Sequence, residues 1–200
     1  MVNEIKVPYA GEIYHIHVSK DDKEIALATF SGLFFGKFEI GPQGRPYQVW
    51  ETNKVYFRDK LISKIIPLRP KFYLVAEYSK PGYHLVDRSS EELDPGRIED
   101  RRAEHNSGCT DLVLVPMYDP KWFPYAISRN KFKIDLIDLD EKRVYTICAE
   151  SSTAALTPKM VVESTRQKDG HSIEIYFTCQ VADRRAVKCM QIEPKIVKKM

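Results

Sequence analysis

In the stretch IYHIHV, His15 and His17 stand two residues apart, with Tyr14, Ile16 and Val18 at the alternate positions. On a β-strand, residues i and i+2 point to one face, which is how a β-rich site offers two imidazoles to one metal. A third protein ligand has to come from elsewhere, and no Glu or His lies at a telling offset. The plainer reading places both histidines on the solvent face of a strand.

His105 and Cys109, in HNSGC, are the second pair with chemical reach. A thiolate nucleophile needs a base or a positive environment to lower its pKa, and a dyad needs the two side chains to meet in space. The stretch carries no cysteine-hydrolase signature, and Asn106-Ser107-Gly108 is turn chemistry ahead of the apolar run DLVLVPM. An incidental thiol beside a loop is the expectation. A hydrolase or metal enzyme built on His105/Cys109 or His15/His17 remains the third reading of the chain.

Charge is densest in SSEELDPGRIEDRRAEHNSGCTD, where Glu91, Glu92, Asp94, Glu99, Asp100 and Glu104 alternate with Arg97, Arg101 and Arg102. Paired carboxylates can serve acid–base or metal-assisted hydrolysis. Here the apolar residues Leu93, Ile98 and Ala103 define neither a helical nor a strand face. Long loops in compact domains are usually functional or mobile. The stretch therefore reads as a charged loop insertion at about 88–110 that faces a partner, with Glu91, Glu92, Asp94, Arg97, Glu99, Asp100, Arg101 and Arg102 as its contact residues.

Basic residues gather twice. Lys54, Arg58, Lys60, Lys64, Arg69, Lys71 and Lys80 are interleaved with Tyr56, Phe57, Phe72, Tyr73 and Tyr78. Arg184, Arg185, Lys188, Lys195, Lys198 and Lys199 crowd the C-terminal stretch. Such patches suit phosphates of nucleic acid or anionic lipid, and aromatics on a sheet can stack bases. Alternation, however, sends most of these aromatics into the core and leaves the cations as a wet face. The sequence has no phosphate-cradling GxGxxG or GxxxxGK[ST], and no GxSxG, HExxH or DxDxDG. No cofactor is expected.

The elements that position these residues are read from period-two alternation and tight turns. In KFKIDLIDLDEKRVYTICAE, a loop at Asp140-Glu141 pairs Leu136 with Tyr145, Ile134 with Ile147 and Phe132 with Ala149. The other face then sets Asp135 against Thr146 and Lys131 against Glu150. In EIALATFSGLFFGKFEI, a Ser31-Gly32 turn pairs Ile25 with Phe38, Leu27 with Gly36 and Thr29 with Phe34. Lys80-Pro81-Gly82 divides a third hairpin.

In SIEIYFTCQVADRRAVKCMQIE, a four-residue Ala182–Arg185 loop pairs Phe177 with Met190 and Ile175 with Ile192. Apolar matching prefers that register to one that joins Cys179 to Cys189. Two segments carry helix signals. One is LTPKMVVESTRQKDG, with Thr157 as N-cap and Pro158 at N1; the other is DKLISKIIP, capped by Asp59 and stopped by Pro67. Both also suit strands.

The totals bound the class. Two hundred residues at 43% hydrophobic, 30% charged and net charge +3 describe a globular chain with a substantial core. No run reaches the ~18–20 apolar residues of a membrane helix, and the N-terminus has no secretory-signal pattern. Cys109, Cys148, Cys179 and Cys189 are too few and scattered for a disulfide scaffold. An intracellular, cytoplasmic or nuclear, location is expected.

The fold expected is mainly β, a single domain over 1–200: an antiparallel sandwich or barrel built from hairpins, with one or two short helices. The leading function is a non-catalytic interaction or assembly protein, such as a shell, matrix or complex subunit, a description that viral structural proteins also meet. It works by self-association or by contact with a protein partner. The alternative is a nucleic-acid-binding module using the basic faces at 54–80 and 184–199.

Overall fold

The computed structural model describes residues 11–20, 23–51, 54–78, 82–89, 97–99, 109–116, 125–130, 133–149, 154–167, 170–181 and 184–192. Within them lie fifteen strands and no helix. They form four antiparallel sheets, each a meander in strict chain order.

The first sheet holds β1 (Ile13–Val18), β2 (Glu24–Thr29), β3 (Gly32–Ile40) and β4 (Pro46–Trp50). The second holds β5 (Ile62–Arg69), β6 (Phe72–Glu77), β7 (Gly82–Asp87) and β8 (Arg97–Glu99). The third holds β9 (Asp111–Leu114), β10 (Tyr125–Arg129), β11 (Lys133–Asp138) and β12 (Arg143–Ala149). The fourth holds β13 (Ala154–Gln167), β14 (Gly170–Val181) and β15 (Arg184–Ile192).

The sheets stack face to face in sequence order, and three apolar layers hold them. Ala26, Ala28 and Phe35 of the first sheet meet Ile65, Tyr73 and Val75 of the second. Leu74, Ala76 and Leu85 on the second sheet's other face meet Leu112, Ala126 and Ile137. Ile127, Ile134 and Leu136 on the third sheet's other face meet Ile173, Ile175 and Phe177. The alternation is what makes this work, because consecutive residues such as Tyr73 and Leu74 serve different layers. Each of the larger aliphatic or phenyl side chains among them contributes about 1.5–3 kcal/mol relative to exposure.

The opening strands of the sheets also touch in turn, β1 on β5, β5 on β9 and β9 on β13. Meanders stacked in chain order with their first strands adjacent are related as blades of a β-propeller are. Among the described residues the first and fourth sheets share no extended contact, and no closed barrel forms. The antiparallel, hairpin-built β architecture agrees with the sequence expectation.

The helices do not form. DKLISKIIP contributes most of β5, an edge strand that tolerates Pro67 beside a bulge between Pro67 and Arg69. LTPKMVVESTRQKDG contributes β13, which pairs along β14. The bulge between Leu156 and Met160 takes up Thr157-Pro158, so the missing proline N–H costs no ladder bond. Pairing with a neighbour outweighs the local capping signal in both. Among the described residues no helix is long and apolar enough to cross a membrane.

Register follows the hairpin expectations with corrections. Leu136 faces Tyr145 and Asp135 faces Thr146 as expected, but a bulge after Ile134 sets it opposite Cys148 instead of Ile147. Phe132, Lys131 and Glu150 lie outside the described residues. The β2–β3 turn is Phe30-Ser31, so Ile25 faces Gly36, Leu27 faces Phe34 and Thr29 faces Gly32. Gly32, at φ 136°, supplies the special conformation just after the turn, with no room for a Cβ beside the Tyr56 carbonyl at 2.9 Å.

β14 and β15 join through two residues, so Ile175 faces Met190 and Phe177 faces Lys188. Cys179 then lies opposite Ala186 and Cys189 opposite Tyr176; all four cysteines are free. The two shifted hairpins, β2–β3 and β14–β15, are each displaced by two residues, which leaves every side chain on its expected face.

Candidate functional site

The adjacent opening strands bring several of the expected residues together. On β1, His15 and His17 share a face because their neighbours in register are Ala28 and Ala26, which point into the layer between the first two sheets. They are therefore turned toward the second sheet, half-buried, and not toward open solvent. His15 Nδ1 accepts the backbone N–H of Ile65 on β5 at 3.2 Å, which ties the two opening strands. Burial, with Lys64 and His17 close by, holds the His15 imidazole below its ordinary 6.5.

His17 packs edge-on against Tyr73, ring centres 6.2 Å apart, and burial lowers its pKa as well. A ring nitrogen occupied by a backbone donor is a structural role. Among the described residues no group of three or more His, Cys, Asp or Glu is arranged to hold a metal ion.

On β9, Asp111 performs the matching task at the third sheet. Its Oδ2 accepts the Met160 N–H at 3.1 Å, and its Oδ1 accepts the Leu112 N–H at 3.1 Å. Both ends of the stack are thus stitched by side chain to backbone where opening strands meet.

Cys109 sits beside this row. Its thiol is buried, donates to the Asp111 carbonyl at 3.1 Å and receives the Ser128 hydroxyl at 3.5 Å; the Tyr83 hydroxyl in turn donates to Ser128. Burial pushes the thiol up to about 12. A thiol so held is a poor nucleophile at neutral pH. His105, the partner that a dyad would need, lies outside the described residues.

The basic residues of 54–80 divide between the two ends of β5. Arg58 and Lys60 precede it, while Arg69 is its last residue and Lys71 lies in the turn after it. The eight residues of β5 span about 25 Å, and Lys64 lies between the two ends. Their aromatic neighbours Tyr56, Phe57 and Tyr73 are core residues, so they form no stacking platform. Arg69 lies over the Phe72 ring at 4.6 Å and Lys60 over Phe57 at 5.5 Å.

On β15, Arg185 and Lys188 are exposed, and being three apart they belong to opposite faces of the sheet. Arg184 opens the same strand opposite Val181, while Lys195, Lys198 and Lys199 lie outside the described residues.

The charged stretch is not one uninterrupted loop. β8 adds an edge strand to the second sheet, with Ile98 opposite Tyr83 and fully buried between the second and third sheets. Arg97 and Glu99 are strand residues on either side of it. Glu91, Glu92, Asp94, Asp100, Arg101 and Arg102 lie outside the described residues.

Arg88, Arg129 and His84 are polar groups at contacts between or within sheets that the sequence did not single out. Arg88, after β7, reaches back to the first sheet. Its Nη1 lies 3.1 Å from Glu24 Oε1, its Nη2 bonds Glu51 Oε1, and its guanidinium lies 4.3 Å over Phe35. Tyr73 donates to the other Glu24 oxygen at 3.3 Å. Arg129 is fully buried between the third and fourth sheets. His84 meets Glu77 at 3.3 Å and packs on Phe57 at 4.6 Å.

The signal for Arg129 was available: it follows Ile127 by two, on the face that alternation assigns to the core. Each of these groups serves contact between or within sheets. No protein-family model matches the chain, and no curated protein matches its sequence.

Proposed function

We propose that the chain is a non-catalytic interaction or assembly module, in which stacked meanders form a rigid body that presents its outer faces to protein partners. The observation that carries this is a row of apolar side chains on β1: Ile13, Ile16 and Val18 are 41%, 49% and 43% exposed. Single exposed aliphatics are ordinary, but a row on one strand bordering an apolar face marks a contact surface. The groups with the greatest chemical reach, His15, Asp111 and Cys109, are committed to backbone or buried partners, which supports scaffolding over catalysis. The charged stretch at 88–110 is proposed as a second contact, anchored to the second sheet by Ile98.

Light-scattering mass during size exclusion, at low and high salt, with the 260/280 nm ratio read on the same peak, tests the reading. A salt-insensitive oligomer free of nucleic acid is expected. A monomer that carries nucleic acid at low salt and sheds it at high salt overturns it in favour of the basic residues.

A further inference from the structure

The stretch RRAVKCMQI carries three cations and no carboxylate. It folds as β15, which pairs with β14 residue for residue, from Arg184 opposite Val181 to Ile192 opposite Ile173, without a bulge. No described strand pairs with its other side, so the fourth sheet ends there with three strands where each of the other sheets has four. Along such an edge every second residue turns its N–H and C=O away from the sheet.

Exposed edges are commonly blunted by short strands, proline or bulges, and the other described edges of this chain are treated in that way. β8 and β9 have three and four residues. β4 opens with Pro46, and β5 holds Pro67 and two bulges. Bulges also interrupt β1, β12 and β13. β15 is nine residues long, has no proline and keeps its register throughout. Its extended contacts are with β14 alone. By register Ala186 and Lys188 belong to the inward face, opposite Cys179 and Phe177, yet both are exposed. Arg185, Val187 and Cys189, on the face turned from the third sheet, are exposed as well, Val187 at 73%. That part of the strand is open on both faces as well as along its edge.

We propose that β15 takes up an extended acidic segment of a protein partner as the fourth strand of its sheet. The inference rests on the reading of the chain as a protein-contact module and names the chemistry of one contact. Backbone pairing supplies the affinity and the cations supply the selectivity. Two copies of β15 lying edge to edge put the cations of both on one strand pair, which disfavours self-pairing, whereas a strand bearing carboxylates is drawn in. Arg185 and Lys188 are three apart, so they flank the edge on opposite faces of the sheet. An added strand meets both with carboxylates three positions apart, whichever way it runs. Nucleic acid is better served by cations on one face beside stacking aromatics, and β15 contains no aromatic residue.

Titration of the intact chain with a fluorescent Thr/Val peptide of about eight residues, glutamates at its third and sixth positions, tests the contact. Binding is expected, with at least about tenfold slower exchange of the β15 amides that turn away from β14. Lysines in place of the glutamates, or N-methylation of the peptide's amides, should abolish it. Arg185→Glu/Lys188→Glu should weaken it by at least about tenfold with the melting temperature retained. An N-methylated peptide that binds as well as its parent overturns the proposal, because backbone pairing then contributes nothing. So does protection of those amides before peptide is added, which means that a segment of this chain or a second copy holds the edge. A peptide that fails while light scattering shows the expected oligomer overturns the edge contact alone. Protection by oligothymidylate in place of peptide overturns the assembly reading as well.

Discussion

Arg129 Nη2 donates to the backbone carbonyl of Thr178 at 2.7 Å, from the third sheet to the central strand of the fourth. The guanidinium also lies 5.8 Å from the centre of the Phe177 ring, and burial lowers its pKa below the arginine norm. A charge buried between two sheets is costly to place and costly to remove, because its partners were desolvated for it.

Arg129→Ala is therefore expected to destabilise the chain by about 2–5 kcal/mol, the range for emptying a large buried site. Arg129→Met, which keeps volume and restores an apolar match to Ile127, should lose less than half of that. Urea midpoints at unchanged m-value give the comparison. Equal losses in both variants would show that the hydrogen bond, and not the filled volume, holds the sheets.

Thiol reactivity should divide the cysteines by burial. Cys189 is exposed, while Cys109 and Cys179 are buried. A mild aromatic disulfide at pH 8 is expected to label Cys189 within minutes, a step lost in Cys189→Ser, and to reach Cys109 only after denaturation. The Cys109 thiol, raised from 9.0 to about 12 in the fold, keeps its proton where the unfolded chain has lost it. Its contribution to stability is complete below pH 9 and declines as pH rises toward 12. Cys109→Ala should flatten the alkaline limb of a stability–pH curve; an unchanged slope sinks the assignment.

Acid acts through the histidines with the opposite sense. Burial holds His15 and His17 below 6.5 in the folded chain, so the unfolded chain takes up protons first on acidification. Stability is complete above about pH 6.5 and is lost as pH falls through the folded values. His15→Asn retains an acceptor for the Ile65 N–H and cannot titrate. It should melt near the wild type at pH 7.5 and lose less than the wild type at pH 5. Melting curves at the two pH values decide it; an equal acid loss would place the sensitivity elsewhere.

Much of this order was legible because strand faces depend only on parity. Leu136 opposite Tyr145 and Asp135 opposite Thr146 followed from matching apolar and polar partners. Where the turn was misplaced, in β2–β3 and β14–β15, the error was two residues, and the core assignment survived it. Bulges were not legible: nothing in KIDL announces that Ile134 meets Cys148.

Stacking was not legible either. The sheets begin at intervals as even as Ile13, Ile62, Asp111 and Ala154, yet each meander meets its own neighbours with its own residues, so alternation recurs without a repeated sequence. The candidate site suffered the same limit. The spacing of His15 and His17 gave their shared face correctly, but which sheet covers that face is a tertiary fact. Ile98 was a lone aliphatic among charges, and only its burial against Tyr83 identifies β8.

Trp50 gives a direct probe of the outward face of the first sheet. Gly36 lies opposite it, and a Cβ built there would meet Trp50 Cε3 at 2.8 Å and the Val49 carbonyl at 3.1 Å. The indole thus covers the bare backbone of Gly36 and shields Ile25 and Phe34 beneath it. Gly36→Ala has no room to be absorbed by a flexible side-chain end, because the obstruction is a ring and a carbonyl. The substitution should cost about 1–3 kcal/mol, as overpacking does, and shift tryptophan emission to the red as the indole is displaced into water. Gly44, at φ 71° with nothing near a built Cβ, is the contrasting site: Gly44→Ala carries backbone strain alone and should leave the emission unchanged. If Gly36→Ala leaves both stability and emission unaltered, the indole does not seal this face.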